Sequence, residues 1–170
     1  WTEESLVNYY NLVGRKIVSM NPEANPKIES ILLAAGSKQS IPAKGMEFIN
    51  AHRNMGTDGE TPGEANTPTL MPIIQCFDRN WSTATAAEVI INVFPSAKDK
   101  TPFYCYPPSD GNGHIELEYS AVPVALVWEE DGDWENALVE IKDQFVNALI
   151  SGIKEMAYEK DSDFPGNVER

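Results

Sequence analysis

Three groups of residues in this 170-residue chain have types and spacing that could do chemistry. Ser109, Asp110 and His114 bring a hydroxyl, a carboxyl and an imidazole into one short stretch. Gly111 and Gly113, in Asp-Gly-Asn-Gly, are candidates for a phosphate cradle. The acidic run Glu129-Glu130-Asp131-Gly132-Asp133 has the composition of a calcium loop. Each fails a requirement of its chemistry. A phosphate loop opens a helix whose amides face the anion. Here Gly113 is followed by Ile115, Leu117 and Tyr119 alternating with Glu116, Glu118 and Ser120, which is strand spacing. Ser109, Asp110 and His114 lie within one turn, with neither a nucleophile elbow nor an oxyanion hole around them. A hydrolase reading would have to rest on His52 or His114. Counted from Asp131, the calcium loop has Asn136 where a glycine belongs and Lys142 where a bidentate glutamate belongs. Cys76 and Cys105 stand in no metal spacing and are expected as two buried thiols of a protein assembled in the cytosol. No metal or cofactor site is expected.

Composition narrows the partners. Apolar residues make up 42% of the chain, enough for a core, and no apolar run is long enough to span a membrane. The net charge of −13 comes from 26 acidic against 13 basic residues, with Arg15-Lys16 the one adjacent basic pair. Tight nucleic-acid binding needs a basic face, which this chain lacks.

The hydrophobic periodicity places the elements. Residues 2–20 read as a helix capped by Thr2, with Leu6, Tyr9, Val13, Ile17 and Met20 at spacings of three and four. Asn21-Pro22 ends it. Residues 28–33 and 38–41, around Ala34-Ala35-Gly36-Ser37, predict a hairpin, and 46–52 a short strand. Residues 55–68 read as a polar loop rich in glycine and proline. Its Thr57, Asp58, Gly59 and Glu60 are the proposed contact surface. Residues 70–77 stay open between a turn, an edge strand and a helix start, because of Pro72. Residues 88–94 read as a central strand, 103–119 as a hairpin closed by the glycine tetrad, and 122–127 as a last strand. Asp133 caps a second helix whose stripe runs through Leu138, Ile141, Phe145, Leu149, Gly152 and Met156 to Tyr158. After it comes an extended tail, 159–170, in which Phe164 and Val168 are the apolar anchors.

The expected fold is α+β within one chain unit, 1–170. Residues 2–20 and 133–158 form a helical bundle, and 27–128 form a β-rich, sandwich- or barrel-like insertion. Two amphipathic helices cannot bury their faces alone. Leu6, Tyr9, Val13 and Ile17 are therefore expected against Leu138, Ile141, Phe145 and Leu149.

The order of these segments resembles a family: the head-to-tail adaptor (connector) proteins of tailed bacteriophages. "WTEESLVNYYNLVGRKIV" is similar to its first helix. "NPEANP" and "GSKQSIPAKGMEFINAHRNMGTDGETPG" resemble its hairpin, strand and loop. "WSTATA", "PFYCYPP" and "YSAVP" resemble its later strands, and "FVNALISGIKEMAYEKDSDFPGN" its closing helix and tail. The resemblance implies a structural virion protein without enzymatic activity, assembled in the host cytoplasm and placed in the neck. It implies a homo-oligomeric ring, usually a dodecamer, under the portal protein and above a tail or nozzle protein, with double-stranded DNA passing through and no membrane involved. It also implies that the natural chain begins before Trp1 and continues past Arg170. Thr57–Glu60 would then meet a neighbouring subunit or the next ring, and Phe164 and Val168 the portal. Twelve copies would carry a charge of about −156, and acidic lumen groups would keep DNA from sticking. The competing reading is a soluble β-rich module binding carbohydrate or peptide, with Trp81, Phe103, Tyr104 and Tyr106 exposed around a cleft.

Overall fold

A computed structural model of the chain describes residues 2–129 and 138–162, the last two by backbone alone. The fold is α+β, with helices towards both ends of the chain and two four-stranded sheets between them. Contacts within the chain divide it into two compact units, 1–25 with 122–170, and 26–121.

The helical unit begins with α1, Glu3–Met20. Thr2 caps it, its hydroxyl accepting from the Ser5 amide, and Glu3 and Glu4 occupy the first turn, where the helix dipole favours acids. Its buried face is Val7, Tyr10, Val13, Gly14, Ile17 and Val18. The expected stripe is thus rotated: Val13 and Ile17 are buried, Tyr9 is half-buried, and Leu6 is exposed. Small residues explain the rotation. Gly14 lets Ile141 come in close, and Val13 meets Gly152.

The second helix corrects the sequence reading more strongly. The long helix, α3, is Val146–Ser162, preceded by a 3-10 turn at Asp143–Phe145. Residues 138–142 are not helical, and Leu138 is 89% exposed. Here the backbone serves tertiary bonds instead: the Lys142 amide donates to the Ala24 carbonyl at 2.9 Å, in the 3-10 turn Pro22–Ala24. Ile141 and Leu149 are buried, and Phe145 is half-buried. The helix continues past Tyr158, with Lys160 in its last turn. The Asp133 cap and the anchors Phe164 and Val168 lie outside the described residues.

Residues 122–127 form no strand. They run along α1, where the Asn11 side chain donates to the Leu126 carbonyl and accepts from its amide, both at 2.8 Å. An amide side chain thus supplies the pair of bonds a neighbouring strand would have made.

In the β unit, one sheet has the order β1-β8-β3-β4, from Pro26–Leu32, His114–Ala121, Gly45–Met55 and Pro62–Ala65. The other has the order β2-β7-β6-β5, from Gly36–Ser40, Pro102–Ser109, Asn92–Pro95 and Thr67–Pro68. Both sheets feed one core: Ile115, Leu117 and Tyr119 of β8, Ala51 of β3, Phe103 and Cys105 of β7 and Val93 of β6. The helix α2, Met71–Phe77, caps the outer face of the second sheet, so the helix start allowed by Pro72 is realised.

Two expected hairpins are sheet-to-sheet crossings. β7 and β8 do not pair: β7 lies between β2 and β6, β8 between β1 and β3. Gly111 has φ +94°, and a Cβ on Gly113 would run into the Glu88 carbonyl oxygen, which pins the crossing. β1 and β2 likewise enter different sheets. Buried Gln39 holds that corner, accepting from the Ala34 amide and donating to the carbonyls of Ala34 and Gly36, at 2.7–2.8 Å. Two further readings are corrected. The polar loop narrows to residues 56–61, because β4 and β5 occupy 62–65 and 67–68. The strand at 88–94 shortens to β6, because buried Asn54 and Asn66 hold the Ile90 backbone outside any ladder.

Candidate functional site

The groups first considered for chemistry are occupied by the fold. The Ser109 hydroxyl accepts from the Gly111 amide at 3.0 Å, and the Asp110 carboxylate accepts from the Asn112 amide at 2.9 Å. Both therefore build the turn. The His114 ring packs under Gly59. His52 Nε2 lies 3.1 Å from Glu118 Oε2, on the face of the first sheet that also carries the Arg53–Glu116 pair. The Ser30 hydroxyl and the His114 ring both lie against Gly59, and His114 Nδ1 makes no hydrogen bond among the described residues. No cluster of three metal-ligating side chains is present among them either.

The aromatic residues are core, which corrects the binding-module reading. Phe103 is fully buried and stacks on Phe48 at 4.9 Å. Buried Trp81 stands edge-on to Phe94 and Tyr104 at 5.2 and 5.7 Å. Ile74 of α2 and half-buried Tyr106 complete this cluster. These rings fix α2 onto its sheet and leave no exposed aromatic cleft. Cys105 is buried, and burial pushes its thiol up from the ordinary value. Cys76 is exposed, against expectation, because α2 turns Ile74 inward and a residue two positions on faces away.

The proposed contact residues Thr57–Glu60 form a compact turn rather than an open arm. Asp58 accepts from the amides of Thr61 and Glu60 at 3.0 and 2.9 Å, and from the Thr61 hydroxyl at 2.7 Å. These bonds, led by the Thr61 amide, lower its pKa to about 2. Gly59 takes φ +71°, and a Cβ there would stand 3.2 Å from the His114 ring. The turn is therefore held in one shape and presents Thr57, Asp58 and Glu60 on its surface.

Exposed apolar side chains lie elsewhere. On the helical unit, Leu12, Met20, Val124, Val127, Leu138 and Tyr158 are exposed. A groove of about 230 Å³ follows the α1–α3 seam, lined by Leu12, Val13, Lys16, Gly152, Glu155, Met156 and Glu159. On the β unit, α2 turns Leu70, Ile73 and Phe77 outward, 61%, 46% and 85% exposed. Sequence reasoning passed over that stripe because Pro72 left the segment unassigned. The signal was present in the spacing of three and four between those residues.

No curated protein matches the chain. A protein-family model described as SU10 adaptor protein matches it over residues 1–170. That match spans the helices and both sheets. The chain belongs to the SU10 adaptor protein family, and is a non-catalytic structural protein of the virion neck that connects a phage head to its tail.

Proposed function

We propose that the chain acts as one subunit of a closed homo-oligomeric ring of twelve copies, set between the portal protein above and a tail or nozzle protein below, with double-stranded DNA passing through. The observation that carries this reading is the exposed apolar surface of the helical unit. Two helices and an extended strap leave Leu12, Met20, Val127, Leu138 and Tyr158 in water. Patches of this kind on a structural protein are covered by its partners. The turn at Thr57, Asp58, Gly59 and Glu60 meets a neighbouring subunit or the next ring, its rigidity lowering the ordering cost of contact. Phe164 and Val168 anchor the portal contact. The acidic balance keeps DNA moving, because carboxylates and phosphates repel.

Electron microscopy of the full chain mixed with its portal tests the reading. A twelve-fold ring under the portal is expected. Discrete monomers scattered on the portal, or no binding, would overturn it. Phe164→Ala with Val168→Ala should weaken portal binding by about tenfold or more, as loss of a buried apolar anchor does. Unchanged affinity would move the anchor elsewhere.

A further inference from the structure

A closed ring needs a heterologous contact, in which one surface of each copy fits a different surface of the next. This inference rests on the ring reading and names the two surfaces. We propose that the apolar ridge of α2 on one copy docks into the α1–α3 groove of its neighbour.

The ridge is built by spacing. Ile73 and Phe77 are four residues apart on one side of α2, and Leu70 precedes them as its N-cap. Ile74, turned about 100° from Ile73, is buried against Trp81 and Phe94. Ile74 holds this short helix to its sheet, while Ile73, Phe77 and the N-cap residue Leu70 are left in solvent. Phe77, at 85% exposure, is the largest of them.

The groove has the complementary form. Gly152 lets Val13 close onto α3, and the two form the floor of the groove. Leu12 and Met156 supply apolar flanks, and the methionine adapts its shape to what enters. An apolar cavity of about 150 Å³ holds a benzene molecule, so 230 Å³ accepts the Phe77 ring. Charge fits as well. Arg79 stands exposed two residues beyond Phe77 and forms no ion pair among the described residues. Glu155 and Glu159 stand at the groove with Lys16, which leaves its rim net acidic. Docking brings the arginine to that acidic rim, and such pairs set partner and register. The occupant is therefore a second copy of this chain.

The native thiols provide the test. Cys76, next to Phe77, is exposed, and Cys105 is buried. Phage particles carrying the full chain with Glu155→Cys are treated with a mild oxidant and run on a non-reducing gel. A ladder of multiples of this chain is expected, and it should collapse when Cys76→Ser is added. Particles that contain the chain in normal amount but give no ladder would overturn the proposal. So would a ladder that survives Cys76→Ser, or Cys76–Cys76 dimers in the otherwise unchanged chain. If particles contain the chain but microscopy shows no ring, the ring reading fails first and this contact with it. In a second arm, Arg79→Glu should cut the copies per particle by about tenfold, and Glu155→Arg added to it should restore them. Loss without rescue would remove the charge pairing from the contact.

Discussion

Gly152 lies in the middle of α3, where alanine would normally be preferred by about 1 kcal/mol. The structure reverses that expectation. A Cβ at this position would stand 2.6 Å from Val13 Cγ1 and 3.3 Å from Cγ2. The first distance is far inside van der Waals contact, and Val13 is buried in the seam with its one helical rotamer largely fixed. Gly152→Ala must therefore push α1 and α3 apart, and overpacking of this kind costs about 1–3 kcal/mol. Set against the gain in helix propensity, the net effect is a loss of about 1 kcal/mol.

The companion variant makes the argument testable. Val13→Ala removes both offending methyl groups and alone costs about 1.5–3 kcal/mol of lost burial. In that background Gly152→Ala meets no clash, so it should stabilise by about 1 kcal/mol. The cycle thus predicts a coupling of about 2 kcal/mol between the two sites. Urea unfolding of the four proteins, followed by circular dichroism at 222 nm where the helices dominate, measures it. Gly152→Ala stabilising the otherwise unchanged chain, or effects that add within about 0.5 kcal/mol, would refute the close approach of the helices at this point.

Three further outcomes follow from the β unit. Gly113→Ala should destabilise it by about 3 kcal/mol, because the new Cβ meets the backbone carbonyl of Glu88 rather than a movable side chain, and an unchanged Trp81 fluorescence melt would contradict this. The Asp58 carboxyl, held at about 2, contributes to the 56–61 turn above its unfolded value near 3.8 and loses that contribution as pH falls through about 2, so an NMR titration midpoint near 4 would count against the three bonds drawn to it. Tyr119, raised to about 12 first by burial and then by its 2.9 Å bond to Glu29, contributes stability below pH 10 that is lost as pH rises through about 12, and six tyrosines all ionising near 10 would exclude that bond.

Local signals in the sequence were read well where one residue carried them. The Thr2 cap, the alternation of Ile115, Leu117 and Tyr119, and the helix ending at Asn21-Pro22 all depend on near neighbours. Pairing was not legible in the same way. Gly111 and Gly113 announce a reversal, and a reversal between two strands serves a hairpin and a sheet-to-sheet crossing equally. What selects the crossing is the Glu88 carbonyl, distant in sequence. The one-residue rotation of the α1 face has a similar cause. Leu6 and Tyr9 are more apolar and larger than Gly14, so a stripe counted by hydrophobicity includes them, whereas close packing selects the small residue. As for the candidate site, the Thr57–Glu60 segment was visible through its turn residues. The α2 ridge was hidden by a proline that in fact sits in the first turn of the helix, where its missing amide costs nothing.

The two units face different energetic problems. The β unit closes two sheets over a shared core in which Phe103, Cys105, Ile115 and Leu117 lose all contact with water. The helical unit has one seam and a strap held by the Asn11 amide, and it leaves long apolar side chains exposed along both. Removing apolar surface from water yields about 25 cal/mol per Å². Whatever covers those side chains therefore stabilises the helical unit as well as the contact itself. In the proposed ring that cover comes from neighbouring copies, so folding of the helical unit and closure of the ring are thermodynamically linked. The linkage gives the seam residues two roles. A change such as Gly152→Ala, made at the floor of the groove, should lower the stability of the free chain and the yield of closed rings together. A change on the exposed ridge, Phe77→Ser, should leave the free chain as stable as before and lower ring yield alone. Separation of those two behaviours, by urea unfolding of the free chain beside counts of copies per particle, distinguishes a groove that receives a neighbour from an apolar seam that merely happens to be open.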